Sequence, residues 1–195
     1  MTTPIKTVIE RHITKALRLT LLSSLIITTP LLSAQKSSHH STAHSQSSSE
    51  SLVQQVRDAT KQFVDVNNAT AAGYGAFLGC VSGTDHGAMG VHYVNLDLYT
   101  GALLDVTQPQ AIIYEPESNG KLRIAGVEYI LDSATWLANN NNTSPVLDGQ
   151  VFNFVPSPNR FNIPSFFELH VWAWRDNPQG AFVDWNNSVT CENQN

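Results

Sequence analysis

Two spacings of apolar residues follow one another along the second part of the chain. The first spacing is helical, and its members are Leu52, Val56, Ala59, Phe63 and Val66. This period predicts an amphipathic helix that ends near residues 73–75, where glycine can adopt the left-handed conformation of a helix C-terminus. The second spacing, from residue 75 onward, is short and typical of β-strands.

The β-like part contains five predicted strands, at residues 90–98, 111–114, 122–131, 151–155 and 166–174. Residues 115–121, with Pro116 and Asn119-Gly120, predict a hairpin connection. Four consecutive asparagines, at positions 139–142, predict a surface loop. The order of these elements favours an α+β fold with an N-terminal amphipathic helix, followed by a curled, mainly antiparallel β-sheet that surrounds a pocket.

The first 34 residues have the pattern of a secretory signal peptide. Four basic residues precede an apolar run at positions 19–34, which closes with a Leu-Leu-Ser-Ala junction. An uncleaved membrane anchor is the alternative, but the run contains Pro30 and is shorter than the ~20 residues that span a bilayer. We therefore expect an exported protein, periplasmic or extracellular, with no membrane span after cleavage.

Residues 35–51 consist almost entirely of Ser, His, Gln and Thr. Such a composition buries too little apolar surface to fold and predicts a disordered linker. Its histidines, His39, His40 and His44, either collect transition metals loosely or belong to a polar linker with no further role. A single α+β domain is expected to occupy residues 52–195.

Charge excludes one class of partner. Charged residues make up 14% of the chain, against about 25% in typical domains. The net charge is −5, and no cluster of Lys or Arg is present that would neutralise a phosphate backbone. A nucleic-acid partner is therefore not expected, whereas a metal ion or a small-molecule ligand is compatible with this composition.

Cys80 and Cys191 are the two cysteines of the chain. In an exported protein the simplest interpretation is one disulfide, which would join the start of the β region to the C-terminal tail. A reactive thiol or a metal-thiolate pair is the alternative. No C-x-x-C motif supports that alternative.

Alternation along the last predicted strand separates two kinds of side chain. One face carries Phe167, Leu169, Val171 and Ala173 and resembles packed core. The other face carries Glu168, His170, Trp172 and Trp174. A carboxylate, an imidazole and two indoles on one face are typical of a pocket wall that is screened from water, and Tyr93 is a further candidate for this pocket.

A carboxylate also interrupts an apolar row on the strand at 122–131. Leu122, Ile124, Glu128 and Ile130 share a face by alternation, and a buried carboxylate needs a partner. Outside the linker, the histidines after residue 51 are His86, His92 and His170. We expect these three to converge with Glu128 or Glu168 on a transition metal ion, which would be Zn, Cu, Fe or Mn.

Each histidine taken alone is better explained as an ordinary hydrogen-bonded residue of the core or surface, and no H-E-x-x-H motif is present. The metal interpretation depends on the joint pattern of the three histidines with the alternating strand. Whether the site is catalytic is left open. A hydrolytic set of Ser82, Asp85 and His86, or acid-base catalysis on a glycan by Glu128 and Glu168, is a weaker alternative.

Two alternatives from other functional classes need no metal. The first is non-catalytic binding of a glycan or another planar ligand on aromatic faces, supplied by Trp136, Trp172, Trp174, Trp185, Tyr93 and Tyr129. The second is a structural protein of the cell envelope, for which an acidic surface and a polar tether would suffice.

Three segments resemble a group of secreted bacterial proteins of uncharacterised activity. They are residues 90–95 (GVHYVN), 127–129 (VEY) and 168–178 (ELHVWAWRDNP). The resemblance covers most of residues 80–191 and implies that these segments form one unit. It implies no particular activity, fold or ligand.

Overall fold

The structure is a computed structural model that describes residues 52–194. The predicted signal peptide, the predicted linker and the histidines at positions 39, 40 and 44 lie outside these residues. Within the described part of the chain, no helix is long and apolar enough to cross a membrane.

Three short helical segments open the described domain. Residues 52–60 are α-helical (α1), followed by a 3-10 helix at Lys61–Val64 and by α2 at Val66–Ala71. The predicted helix is therefore interrupted at Asp65, whose extended backbone allows its side chain to accept a hydrogen bond from Asn67 N and to cap α2. The chain leaves α2 through Gly73, where φ is +89°.

A six-stranded antiparallel sheet forms the body of the fold, and its strand order is β1-β2-β3-β4-β8-β7. The bounds are Gly75–Gly83 (β1), Gly87–Val94 (β2), Ala111–Pro116 (β3), Leu122–Asp132 (β4), Asn153–Val155 (β7) and Phe166–Val171 (β8). A separate two-stranded sheet pairs Val146–Leu147 (β5) with Gln150–Val151 (β6). The curled antiparallel sheet predicted from the sequence is confirmed.

Two helices begin directly after a strand, each at a residue whose side chain caps the N-terminus of the helix. The predicted strand 90–98 ends at Val94 because Asn95 Oδ1 accepts hydrogen bonds from Asp97 N and Leu98 N and starts α3 at Leu96–Gly101. Asp132 similarly caps α4, Ser133–Asn139, through Thr135 N. The asparagines after α4 form a turn, as predicted.

The glycine-rich strand β1 has no counterpart among the predicted strands. Its pairing with β2 is interrupted by a bulge, because Phe77 pairs with His92 whereas Cys80 pairs with Val91. The two residues between them, Leu78 and Gly79, both have positive φ angles.

The main core lies between the helices and one face of the sheet. Leu52 and Val56 of α1 pack there with residues of β3, β4 and β8, which include Ile112, Tyr114, Val127, Tyr129, Leu131, Leu169 and Val171. These strand residues alternate along the chain with side chains on the opposite face. That opposite face carries the candidate site.

A bulge in β4 changes one predicted face. Ile113 pairs with Gly126 and Tyr114 pairs with Ile124, so the alternation of β4 shifts at Ala125. Ile124 and Leu122 consequently pack in the main core, whereas Glu128 lies on the other side. The prediction that these residues share a face with Glu128 is wrong for this reason.

The C-terminal segment folds back against the sheet. The disulfide between Cys80 and Cys191 is present and joins it to β1, as predicted. Strand β8 ends at Val171, earlier than predicted, because Trp172 N donates to Ala181 O and Trp174 N donates to Ala125 O.

Candidate metal site

A cluster of buried ionisable side chains lies on the sheet face opposite the main core. His92 comes from β2, Glu128 from β4, and Glu168 and His170 from β8, and each of the four is at most 7% exposed. Asp184, from the C-terminal segment, completes the cluster at its partly exposed side. Such groups are rarely buried together unless they pair with one another or bind an ion.

Glu128 lies between the two histidines. Its Oε2 atom is 3.2 Å from His92 Nε2, and its Oε1 atom is 3.9 Å from His170 Nε2. The two imidazole rings are perpendicular, with their centroids 5.9 Å apart. Both Nε2 atoms therefore approach the same carboxylate.

Strand register explains how the sheet brings these side chains together. Glu128 and His170 are directly paired across β4 and β8, and Ala111 of β3 pairs with Glu128 on its other side. Side chains opposite one another on antiparallel strands lie on the same face, about 5 Å apart. Ala111 also pairs with Val94 of β2, two positions from His92, so His92 lies diagonally from Glu128 on the same face of the sheet.

A second carboxylate lies near the other ring nitrogen of His170. Asp184 Oδ1 is 3.6 Å from His170 Nδ1, on the side of the ring away from Glu128. Asp184 also accepts a hydrogen bond from Asn153 Nδ2 at 3.0 Å. A carboxylate at the far nitrogen of an imidazole is the usual second partner of a metal-binding histidine.

Neither ring nitrogen of His170 has a hydrogen-bond partner among residues 52–194, although the side chain is 1% exposed. The oxygens of Glu128 and Asp184, at 3.9 and 3.6 Å, are beyond hydrogen-bond distance. Unsatisfied buried polar atoms typically cost about 1–3 kcal/mol each. A cation bound between His170 Nε2 and Glu128 would satisfy one of these atoms.

The charges in the cluster are strongly linked. Burial alone would lower the pKa of His170, but the Glu128 carboxylate, followed by Asp184, outweighs it and raises that pKa to about 9. Burial opposes ionisation of Glu128, yet the charge of His170 and the hydrogen bond from His92 hold the pKa of Glu128 below its usual range. Burial and the neighbouring Glu128 charge raise the pKa of Glu168. Of the two glutamates, Glu128 is therefore the one whose ionised form the surrounding groups favour.

The donor set fits a transition metal ion. Ligand atoms of His92, Glu128 and His170 all lie within 4.8 Å of one another, and a second group of this size comprises Glu168, His170 and Asp184. Two imidazoles and one carboxylate suit Zn, Fe and related ions and leave further coordination positions for water or a ligand. The buried groups of the described domain could thus hold a metal ion.

The structure separates His86 from the other predicted ligands. His86 is exposed in the turn between β1 and β2, beside the ring of Trp185. Ser82 and Asp85 are exposed there as well, so the surrounding chain does not screen this alternative hydrolytic set from water. No periodic pattern in the sequence indicates on which side of this glycine-rich turn the imidazole lies.

The predicted aromatic pocket is only partly correct. Trp172 is buried and its ring stacks on His170, with the centroids 6.0 Å apart. Trp174 and Tyr93 instead pack against the main core. Trp174 leaves the predicted alternation because β8 ends at Val171, and Tyr93 lies on the opposite side of β2 from His92.

Sequence reasoning missed Asp184. It lies in an irregular segment, where no alternation or motif marks its direction. The only signal for Asp184 in the sequence is its position between His170 and Cys191, in a segment that the predicted disulfide ties to the sheet. That position does not specify a contact with His170.

A small cavity of about 40 Å³ adjoins the cluster, and His92 and Glu128 form its polar end. The rest of its wall is apolar: Phe77, Leu78, Val81, Met89, Val94, Ile130, Phe161, Ile163 and Phe166. This volume is sufficient for a water molecule, which occupies about 30 Å³ in the liquid.

Comparisons with known proteins identified no relative of this chain. No family model, no curated protein and no solved structure matches this chain. The chemistry of the cluster therefore carries the functional argument.

Proposed function

We propose that this protein is exported and binds one divalent transition metal ion through His92 Nε2, His170 Nε2 and a carboxylate oxygen of Glu128. The observation that carries the proposal is the approach of both Nε2 atoms to the Glu128 carboxylate in a buried place, at 3.2 and 3.9 Å. Asp184 positions His170 from its other ring nitrogen, and Glu168 belongs with His170 and Asp184 to a second, neighbouring group of possible ligands.

The adjoining cavity favours use of the metal on a small substrate over storage of the ion. A purely structural site is closed by protein ligands, whereas a catalytic site keeps a coordination position open. Here His92 and Glu128 face a cavity that can accept water or part of a substrate. A metal ion in this place would supply Lewis-acid activation of a bound oxygen.

Export is supported by two features. The signal-like pattern of residues 1–34 is one, and the Cys80–Cys191 disulfide, a bond that persists in oxidising compartments, is the other. Both are compatible with a periplasmic or extracellular location.

The test is the metal content of the full chain after equilibration with Zn²⁺ and removal of weakly bound ions. All proteins carry His39→Ala, His40→Ala and His44→Ala, so that the histidine tract contributes nothing. We expect about one ion per chain, loss of that ion in His170→Ala, and its retention in His86→Ala, the matched control. Equal metal content in the last two variants would refute the proposed site.

A further inference from the structure

A groove lined by apolar side chains adjoins the cavity next to the proposed metal site. It has a volume of about 120 Å³, and its wall comprises Phe77, Val94, Leu96, Tyr99, Ile130 and Ile163. Four of these residues, Phe77, Val94, Ile130 and Ile163, also line the smaller cavity that ends at His92 and Glu128. The two spaces are therefore neighbours that share one wall.

The outer rim of this groove is apolar too. Leu96 and Leu78, which line the groove and the cavity respectively, are both more than half exposed. Leu78 also has a φ of +63° within the bulge of β1. The left-handed conformation is unfavourable for leucine, and such strain recurs where a fold positions a functional surface.

We infer that the groove binds a small molecule with an apolar body and one donor oxygen, such as a monocyclic phenol, whose oxygen reaches the metal ion through the cavity. This inference rests on the proposed metal site. The apolar body would lie against Ile130 and Ile163, where it gains from the burial of apolar surface. The oxygen would lie at the polar end formed by His92 and Glu128.

Size and lining define this ligand class. A dry cavity of about 150 Å³ admits benzene, and the groove of about 120 Å³ together with the adjoining cavity of about 40 Å³ offers a similar volume, which suits one six-membered ring. A sugar or a charged metabolite would lose water from several polar groups against a wall that offers one polar side-chain group, the unpaired Tyr99 hydroxyl, which is unfavourable. A single oxygen avoids this cost because the metal ion would accept it as a ligand.

The experiment uses the full chain loaded with Co²⁺, whose visible absorption reports changes in coordination. The probe is 4-fluorophenol, and fluorobenzene is the matched probe without the donor oxygen. Ile163→Trp and Leu96→Trp narrow the groove, the second at an exposed position that tolerates a larger side chain. Val151→Trp is the control, because Val151 is 63% exposed and does not line the groove.

We expect 4-fluorophenol, but not fluorobenzene, to change the Co²⁺ spectrum of the native chain and of Val151→Trp. The two groove variants should keep Co²⁺ and bind 4-fluorophenol about tenfold more weakly, because the ring loses apolar contact. Bound Co²⁺ without a response to 4-fluorophenol, or equal affinity in the groove variants, would overturn the inference alone. A chain that binds no Co²⁺ would overturn the proposed metal site together with the inference.

Discussion

Glu128 and His170 are paired residues on adjacent antiparallel strands, and Glu128 Oε1 lies 3.9 Å from His170 Nε2 on the buried face away from the main core. The pairing means that a metal ion bound to both side chains would connect β4 to β8. His92, which lies 3.2 Å from the same carboxylate, would connect β2 as well. Metal binding is therefore expected to stabilise the central part of the sheet.

Zn²⁺ is expected to raise the stability of the folded chain. Zn²⁺ at a free concentration of 100 times its Kd should raise the free energy of unfolding by about 2.7 kcal/mol, because it binds only the folded chain. Thermal denaturation with and without Zn²⁺ measures the effect. Glu128→Gln should abolish it, and Glu192→Gln, at an exposed position, should preserve it. A Zn²⁺-dependent shift that survives in Glu128→Gln would place the ion elsewhere.

Asp184 is predicted to strengthen the site without binding the ion itself. Asp184→Asn should weaken Zn²⁺ affinity by about 10- to 100-fold, because His170 loses the carboxylate that orients its ring. Calorimetric titration gives the affinity, and Asp176→Asn, on the exposed surface, serves as the control. Unchanged affinity in Asp184→Asn would mean that the 3.6 Å contact with His170 has no positioning role.

Gly126 allows β4 and β8 to approach beneath the site. A Cβ atom at this position would lie 2.6 Å from Val171 O, so Gly126→Ala must displace β8. We expect a loss of stability of about 1–3 kcal/mol and weaker metal binding. Gly75→Ala is the matched strand control, since its Cβ would meet no atom within 4 Å. Denaturant unfolding of both variants distinguishes this local clash from a general effect of strand glycines.

The disulfide is predicted to contribute to stability through the length of the loop it closes. The two cysteines are 111 positions apart, for which chain entropy gives about 4–5 kcal/mol. Replacing Cys80 and Cys191 by serine should lower the free energy of unfolding by this order. A reducing agent should bring the native chain to the same value and leave the double variant unchanged. Equal stability of both proteins under oxidising conditions would contradict this account.

Buried tyrosines predict an alkaline limit to stability. Tyr74, Tyr114 and Tyr129 each donate a hydrogen bond to a backbone carbonyl, and burial raises the pKa of all three, that of Tyr74 to about 12. In the unfolded chain these phenols ionise near pH 10. The contribution of these neutral phenols to the free energy of unfolding is therefore fully present below pH 10. It decreases as the pH rises further, by about 1.4 kcal/mol per pH unit for each phenol.

Absorbance at alkaline pH tests this prediction, because it reports phenolate formation directly. The phenols of the main core should ionise together with unfolding. Tyr129→Phe should make the free energy of unfolding decrease less steeply with pH above pH 10. Ionisation of all tyrosines near pH 10 in the folded chain would be the contradictory result.

Alternation of side chains in the sequence alone predicts much of the candidate site. Residues that differ by two positions on β8 share a face, which placed Glu168 and His170 together and separated them from Leu169. The same rule failed where the backbone is irregular. The bulge at Ala125 turned Ile124 to the main core, and the end of β8 turned Trp174 there.

Long-range contacts explain the remaining differences. His86 and His92 are close in sequence, yet the turn between β1 and β2 exposes the first and β2 buries the second. Strand β1 contains glycines that obscure its pattern, and Asp184 reaches His170 from a segment without regular structure. Such placements depend on how distant segments pack, which local periodicity does not encode.

The most direct test of the proposed metal site is anomalous X-ray diffraction from crystals of the full chain grown with Zn²⁺. We expect one strong peak about 2.0–2.2 Å from His92 Nε2, His170 Nε2 and an oxygen of Glu128. A strong peak at His86 or at the histidines of residues 39–44, with none between His92 and His170, would contradict it.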